Sequence, residues 1–193
     1  SGRNKQLELQ RIARESNMAI TGPCCMGIIS LHYSFANSYI SVPKDTSPGG
    51  VSIVSQSGGL TNTAVELGAS RNVGFNYLIS SGNEAVLETA DYIEYLAYDP
   101  ATEVIACIME GAKNGDKLRR ALEIATQIKP VVVLKLGRTE NGRKATVAHT
   151  GTIAGQHEAY SALFRDFGVA MVDSVDELVE TSALLAEASL PAG

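Results

Sequence analysis

The chain has 193 residues, 45% of them hydrophobic and 19% charged, with a formal net charge of -5. That is enough for one good core, in the ordinary balance of a soluble globular domain. No long basic run is present, which argues against a nucleic-acid groove. No apolar stretch approaches a membrane span, and no secretory leader opens the chain, so a cytoplasmic protein without membrane contact is expected. Three cysteines, of which Cys24 and Cys25 are adjacent, fit a reducing compartment better than a disulfide framework. No CxxC pair or close His/Cys cluster is present, so no metal site is expected.

In chain order, Asn4 to Glu15 carries Leu7, Leu9, Ile12 and Ala13 at helical spacing among charges, which predicts an amphipathic helix. Met18-Ala19-Ile20 reads as a short strand stopped by Thr21-Gly22-Pro23. Residues from about Ile29 to Gly50 lack a period and are rich in Ser, Pro, Asn and Tyr, the composition of an irregular linker. A regular alternation follows. Val51–Val54, Phe75–Ile79, Val104–Met109, Val131–Leu134 and Val169–Val172 read as strands. The helices between and after them are predicted at Leu60–Ser70, Val86–Tyr98, Asp116–Ile128, Gln156–Phe167 and Val175 to about Ala188. Asp99-Pro100, Pro130 and Gly168 supply stops, and Ser174 with Glu177 has capping-box spacing.

Near-continuous apolar strands that alternate with helices imply a parallel sheet covered on both faces. Five such units predict a doubly wound, flavodoxin-like α/β fold with strand order 2-1-3-4-5. Leu134, Val132 and Ile105 are expected in its core. The first helix and the Met18 strand stand outside this set and read as the tail of a preceding domain. The expected division is therefore residues 1–28 (tail), 29–48 (linker) and 49–193 (the α/β domain).

In such sheets the ligand crevice lies at the carboxyl ends of the strands. Ser55-Gln56-Ser57-Gly58-Gly59, Ser80-Ser81-Gly82-Asn83-Glu84, Glu110-Gly111 and Lys135 all fall there. Ser57 and Glu110 should face one another across the switch point. Ser-x-Ser-Gly-Gly at a helix start exposes backbone N–H groups at the positive end of the helix dipole, where phosphate binds. A plain serine cap with a tight turn is the other reading of those residues.

The connection from Gly137 to Gly155 exceeds the two to six residues usual for a strand-to-helix turn. It holds Ala148-His149-Thr150-Gly151-Thr152, a histidine between small residues, which is a candidate moving arm or a solvent loop. A histidine that reaches a phosphate pocket can act as base, donor or nucleophile. As a nucleophile it needs a carboxylate to accept its other N–H, and Glu110 is placed for that. His157, on the first turn of a helix, is expected to be solvated, and His32 lies in the linker.

In order and spacing, these motifs resemble the NDP-forming acyl-CoA synthetases, the superfamily that contains the succinyl-CoA synthetase α subunit. The resemblance rests on Gly22-Pro23-Cys24-Cys25-Met26-Gly27, Pro48-Gly49-Gly50-Val51, Ser55 to Gly59, Ser81-Gly82-Asn83-Glu84-Ala85, Glu110-Gly111, Lys129 to Arg138 and His149-Thr150-Gly151. It implies that residues 1–28 end a CoA-binding Rossmann domain. It also implies that His149 is the phosphorylated residue, with Glu110 as its carboxylate partner. Ser55, Ser57, Gly58, Gly59 and Gly151 would bind the phosphoryl group. Cys24, Cys25, Ser81 and Asn83 would lie near substrate and coenzyme A. The implied partners are a CoA-binding domain and an ATP-grasp unit that binds ATP/ADP or GTP/GDP with Mg2+, in one chain or in a homo- or hetero-oligomer. The implied reaction is an acid-thiol ligation of a small carboxylic acid that this chain would not complete alone. The sequence departs from the family where Cys24 replaces the usual Asn and where Ala148 replaces the frequent Ser. The alternative is a ligand-sensing regulatory domain of a protein-acetyltransferase type of fusion. A flavin-binding domain is a further alternative, but the chain has no Trp to sandwich a flavin ring.

Overall fold

A computed structural model describes residues 2–137 and 157–188. In chain order its elements are α1 (Gly2–Ser16), β1 (Gly27–Ser30), β2 (Phe35–Ser38), β3 (Pro48–Ser55), α2 (Gly58–Ser70), β4 (Phe75–Ser80) and α3 (Thr89–Tyr98). Then come β5 (Val104–Met109), α4 (Gly115–Ala125), β6 (Val131–Lys135), α5 (His157–Asp166), β7 (Ala170–Val172) and α6 (Val175–Glu187).

The strands form one sheet in the order β2-β1-β4-β3-β5-β6-β7. From β4 to β7 every pairing is parallel, and the order of those five strands is the expected 2-1-3-4-5. The sheet is nevertheless mixed and seven-stranded, which corrects the five-stranded, all-parallel expectation. The extra strands come from residues 27–38, which straddle the end of the stretch read as the tail of a preceding domain and the start of the one read as an irregular linker. Strand β1 pairs antiparallel with β4 on one side and with β2 on the other. Each is only four residues long, and β2 is largely exposed, so neither shows a hydrophobic period. The free edge of β4 supplies the ladder that orders them. Gly27 permits the hairpin: its φ is +95°, and a Cβ there would stand 2.1 Å from the Asn37 carbonyl oxygen. Met18–Ile20, by contrast, is not a strand; the chain there runs off α1 without regular structure.

The core explains why the central strands read as unbroken apolar runs. Along β5, Val104, Ala106 and Ile108 join one cluster with Ala64 and Val65 of α2 and Leu178 and Val179 of α6. Ile105, Cys107 and Met109 join the opposite cluster with Ile93 and Leu96 of α3, Leu118 and Leu122 of α4, and Phe164 of α5. Strand β6 divides likewise, with Val132 and Leu134 on the first face and Val131 and Val133 on the second. Both faces of the sheet are covered, so the period-2 alternation carries no polar side.

Helix ends follow local chemistry. The Ser57, Asn114 and Ser174 side chains each accept an N–H from the first turn of α2, α4 and α6. Only half of the expected box at Ser174 forms, because the Glu177 carboxylate accepts from Asp173 N (2.8 Å) rather than from the cap itself. The carboxylate of Asp99, just past α3, turns inward to accept from Asn76 Nδ2 (2.8 Å) and Thr102 Oγ1 (2.7 Å). Lys129 Nζ donates to the Leu96 carbonyl at the same helix end (2.9 Å).

Candidate active site at the carboxyl ends of the strands

The strand order places the ends of β4, β3, β5 and β6 side by side, and with them Ser81, Ser55, Glu110 and Lys135. Backbone and side-chain bonds stitch these ends together. Ser81 N donates to the Ser55 carbonyl (2.8 Å), and Gln56 N donates to the Ile108 carbonyl (3.1 Å).

Between β3 and α2 the chain turns tightly. Ser55 Oγ donates to the Ser57 carbonyl (2.8 Å) and accepts from Ser57 N (3.1 Å). Ser57 Oγ accepts from Leu60 N (3.4 Å), which leaves the Gly58 and Gly59 N–H groups without an acceptor among the described residues. The two glycines differ. A Cβ on Gly58 would meet Met26 at 2.5 Å, whereas one on Gly59 would meet nothing within 4 Å. The helix therefore opens to solvent at Gly59, where an oxyanion can approach the backbone.

Glu110 follows the last residue of β5 and is 7% exposed. Its Oε2 is buried with no hydrogen-bond partner among the described residues, an arrangement that costs free energy unless a donor arrives. Lys135 is 2% exposed, and its Nζ donates to the carbonyls of Glu110 (2.8 Å) and Leu136 (2.6 Å) while lying 4.8 Å from the centroid of the Tyr160 ring. Burial holds the Lys135 ammonium below the usual lysine range, and the charge of Glu110 opposes that shift.

The loop after β4 folds over a second buried acid. Glu84 sits at φ +52°, in the left-handed region, and is 2% exposed. Its Oε1 accepts from Ser81 Oγ (2.7 Å), Thr89 N (3.0 Å) and Thr89 Oγ1 (2.5 Å). Burial pushes its pKa above the ordinary carboxylate value, against the pull of those bonds and of the Gln56 amide. Lys113 Nζ ties this loop to the one after β5 by donating to the Asn83 and Glu84 carbonyls. On the other side, Asn83 N donates to the Pro23 carbonyl (2.8 Å) and Ala85 N to the Gly22 carbonyl (2.7 Å). The Cys24–Cys25 turn thus lies against Ser81–Asn83, with Cys24 exposed and Cys25 partly buried.

The fold brings together Ser55, Ser57, Gly58, Gly59, Ser81, Asn83 and Glu110, with Cys24 and Cys25 at the flank. His149 and Gly151 lie outside the described residues. His157 is not solvated as expected: it is partly buried, and its Nδ1 is enclosed without a partner among the described residues. The sequence reading gave no role to Gln56, Glu84, Lys113 or Tyr160. The available signal was a long polar side chain between the two serines of a turn (Gln56). Among the described residues, no three His, Cys, Asp or Glu side chains group as a metal would need, and no helix is long and apolar enough to cross a membrane.

A mixed sheet with a five-stranded parallel core, covered by helices and with Ser55, Ser81, Glu110 and Lys135 at one edge, defines an α/β domain of the flavodoxin-like class. Residues 48–185 match the family described as the succinyl-CoA ligase-like flavodoxin domain, and the chain belongs to that family. It is 37% identical over 184 residues to acetate–CoA ligase [ADP-forming] I of Archaeoglobus fulgidus, covering 95% of this chain and 27% of that protein. It is 37% identical over 195 residues to the α subunit of acetate–CoA ligase [ADP-forming] II of Pyrococcus furiosus, covering 100% of this chain and 41% of the subunit. Among solved structures, it superposes with a TM-score of 0.89 and 31% identity on Ca. Korarchaeum cryptofilum acetyl-coenzyme A synthetase 1 in complex with phosphate and ADP. That match covers 97% of this chain and 40% of the other. The chain thus spans well under half the length of these relatives.

Proposed function

We propose that this chain supplies the phosphohistidine-bearing domain of an ADP-forming acyl-CoA ligase that acts on a small carboxylic acid in the cytoplasm. In the direction of nucleotide synthesis, phosphate displaces CoA from the acyl-CoA to give an acyl phosphate. A neutral imidazole nitrogen of His149 attacks phosphorus, and the carboxylate leaves. The phosphoryl group then passes from His149 to a nucleoside diphosphate, which restores the imidazole.

Each step suits the residues in hand. The Gly58 and Gly59 N–H groups and the dipole of α2 would receive the phosphoryl oxygens, with Ser55 and Ser57 shaping the turn. Glu110 would accept the N–H of the imidazole nitrogen that does not attack, which fixes the tautomer and offsets the positive charge as the N–P bond forms. The observation that carries the reading is the enclosed, unpartnered Glu110 Oε2 at the edge where α2 presents free donors. The Cys24–Cys25 turn and Ser81–Asn83 would border the acyl and thiol end of the substrate. Coenzyme A and the nucleotide with its Mg2+ would bind on a Rossmann domain and an ATP-grasp unit contributed by other parts of the protein or by a partner subunit.

The test uses the complete ligase and radiolabelled ATP. A phosphoramidate is acid-labile and base-stable, so label on His149 is distinguishable from phosphoserine at Ser55 or Ser57. His149→Asn should abolish the label. Glu110→Gln should keep the fold and slow labelling about 100-fold or more, within the range for loss of one preorganised electrostatic partner. Full labelling and turnover in His149→Asn would refute the phosphohistidine route and leave the ligand-sensing domain as the better reading.

A further inference from the structure

Resting on that reading, we infer that Gln56 and Lys135 are positioning residues that hold Glu110 in register with the incoming histidine. Strand β5 ends at Met109, so the peptide groups of Glu110 and Gly111 lie past the sheet ladder. Two side chains take over the ladder's role. Gln56 Oε1 accepts from Glu110 N (2.6 Å) and Gly111 N (3.1 Å), while Gln56 Nε2 donates to the Gly111 carbonyl (2.7 Å). Lys135 Nζ donates to the Glu110 carbonyl from the opposite neighbouring strand (2.8 Å). The Glu110 backbone is therefore gripped through its N–H from the β3 side and through its C=O from the β6 side.

The grip concerns the backbone alone. The carboxylate Oε2 has no partner among the described residues, in contrast to Glu84, whose Oε1 accepts hydrogen bonds from Ser81 and Thr89. A side chain present only for packing does not require this arrangement. An apolar residue would fill the Lys135 position without the desolvation cost of a nearly enclosed ammonium. What the arrangement achieves is a fixed origin for the Glu110 side chain, tied through Gln56 to the turn that precedes α2. Displacement of a catalytic group by about 1 Å can cost about 100-fold in rate.

The experiment is a double-mutant cycle in the complete ligase, read by rapid-quench phosphorylation of the enzyme. Gln56→Met and Lys135→Met should each lower the phosphorylation rate and kcat about 10- to 100-fold. KM for the nucleotide, which binds elsewhere, should stay unchanged. Lys135→Arg, which keeps a buried cationic donor, should recover part of the loss. In a Glu110→Gln background Gln56→Met should cost little more, because its effect runs through Glu110. Far-UV circular dichroism and Tm identify any variant that does not fold, and the two positions provide independent arms. Full additivity with Glu110→Gln, or rates within twofold of wild type in both Met variants, would overturn the positioning role. If Glu110→Gln alone keeps the wild-type rate, the reading of Glu110 fails. If Glu110→Gln is slow while both Met variants are normal, only the positioning role fails.

Discussion

At the scale of single residues, the site holds two buried carboxylates with opposite surroundings. Glu110 is short of donors, whereas Glu84 is enclosed by Ser81 and Thr89. Burial raises the pKa of Glu84 in the folded protein above the ordinary value of 4.5 that it regains on unfolding. The native state therefore holds this proton more tightly than the unfolded chain does. The stability this contributes is complete below the unfolded pKa and is lost as pH rises through the folded one. Glu84→Gln keeps an oxygen for the Ser81 and Thr89 donors and carries no charge. Its Tm should match wild type near pH 4.5 and exceed it increasingly toward pH 8. Thermal melts across that range check this; a gap that is flat or reversed with pH would show that Glu84 is comfortably ionised in place.

At the scale of elements, α2 combines a capped start with an open one. Ser57 closes one donor, while Gly58 lies under Met26 and Gly59 faces open space. An alanine at Gly59 meets no neighbour and restricts the unfolded chain, so Gly59→Ala should stabilise the fold by about 0.4 to 1 kcal/mol in urea titrations. The same methyl group would stand where a phosphate oxygen approaches the backbone. In the complete ligase, Gly59→Ala should therefore weaken phosphate binding and slow enzyme phosphorylation. Unchanged phosphate affinity in the stabilised variant would place the anion away from this helix. The hairpin of β1 and β2 shows the opposite balance. Its residues have little β signal of their own, and the open edge of β4 decides their structure.

At the scale of the whole molecule, two helical layers cover one sheet, and every candidate site residue among those described lies at one end of it or on the flanking turn. The chain spans between 27% and 41% of the length of the ligases cited above. Under the proposed function it should show no acyl-CoA-dependent ATP formation by itself and should gain activity when the CoA-binding and ATP-grasp units are supplied. A coupled assay on the purified chain checks this, and turnover without additions would overturn the division of labour.

The sequence by itself determined the five parallel strands, their helices and their order. Residues 104–109 and 131–134 are continuously apolar because both faces of the sheet are covered, and glycine, proline and capping residues punctuate the helix ends. It also placed Ser55–Gly59, Ser81, Asn83 and Glu110 at one edge of the sheet, because strand ends in a parallel sheet converge whatever their separation along the chain. Only the tertiary structure decided that residues 27–30 and 35–38 join the sheet, since that ordering comes from a neighbouring edge rather than from their own pattern. It alone decided what the long polar side chains do. Gln56 reaches residues 110–111, Lys135 reaches back to Glu110, and Lys113 reaches Asn83 and Glu84. Those contacts span 25 to 55 positions in the chain and depend on side-chain direction, which no periodicity encodes.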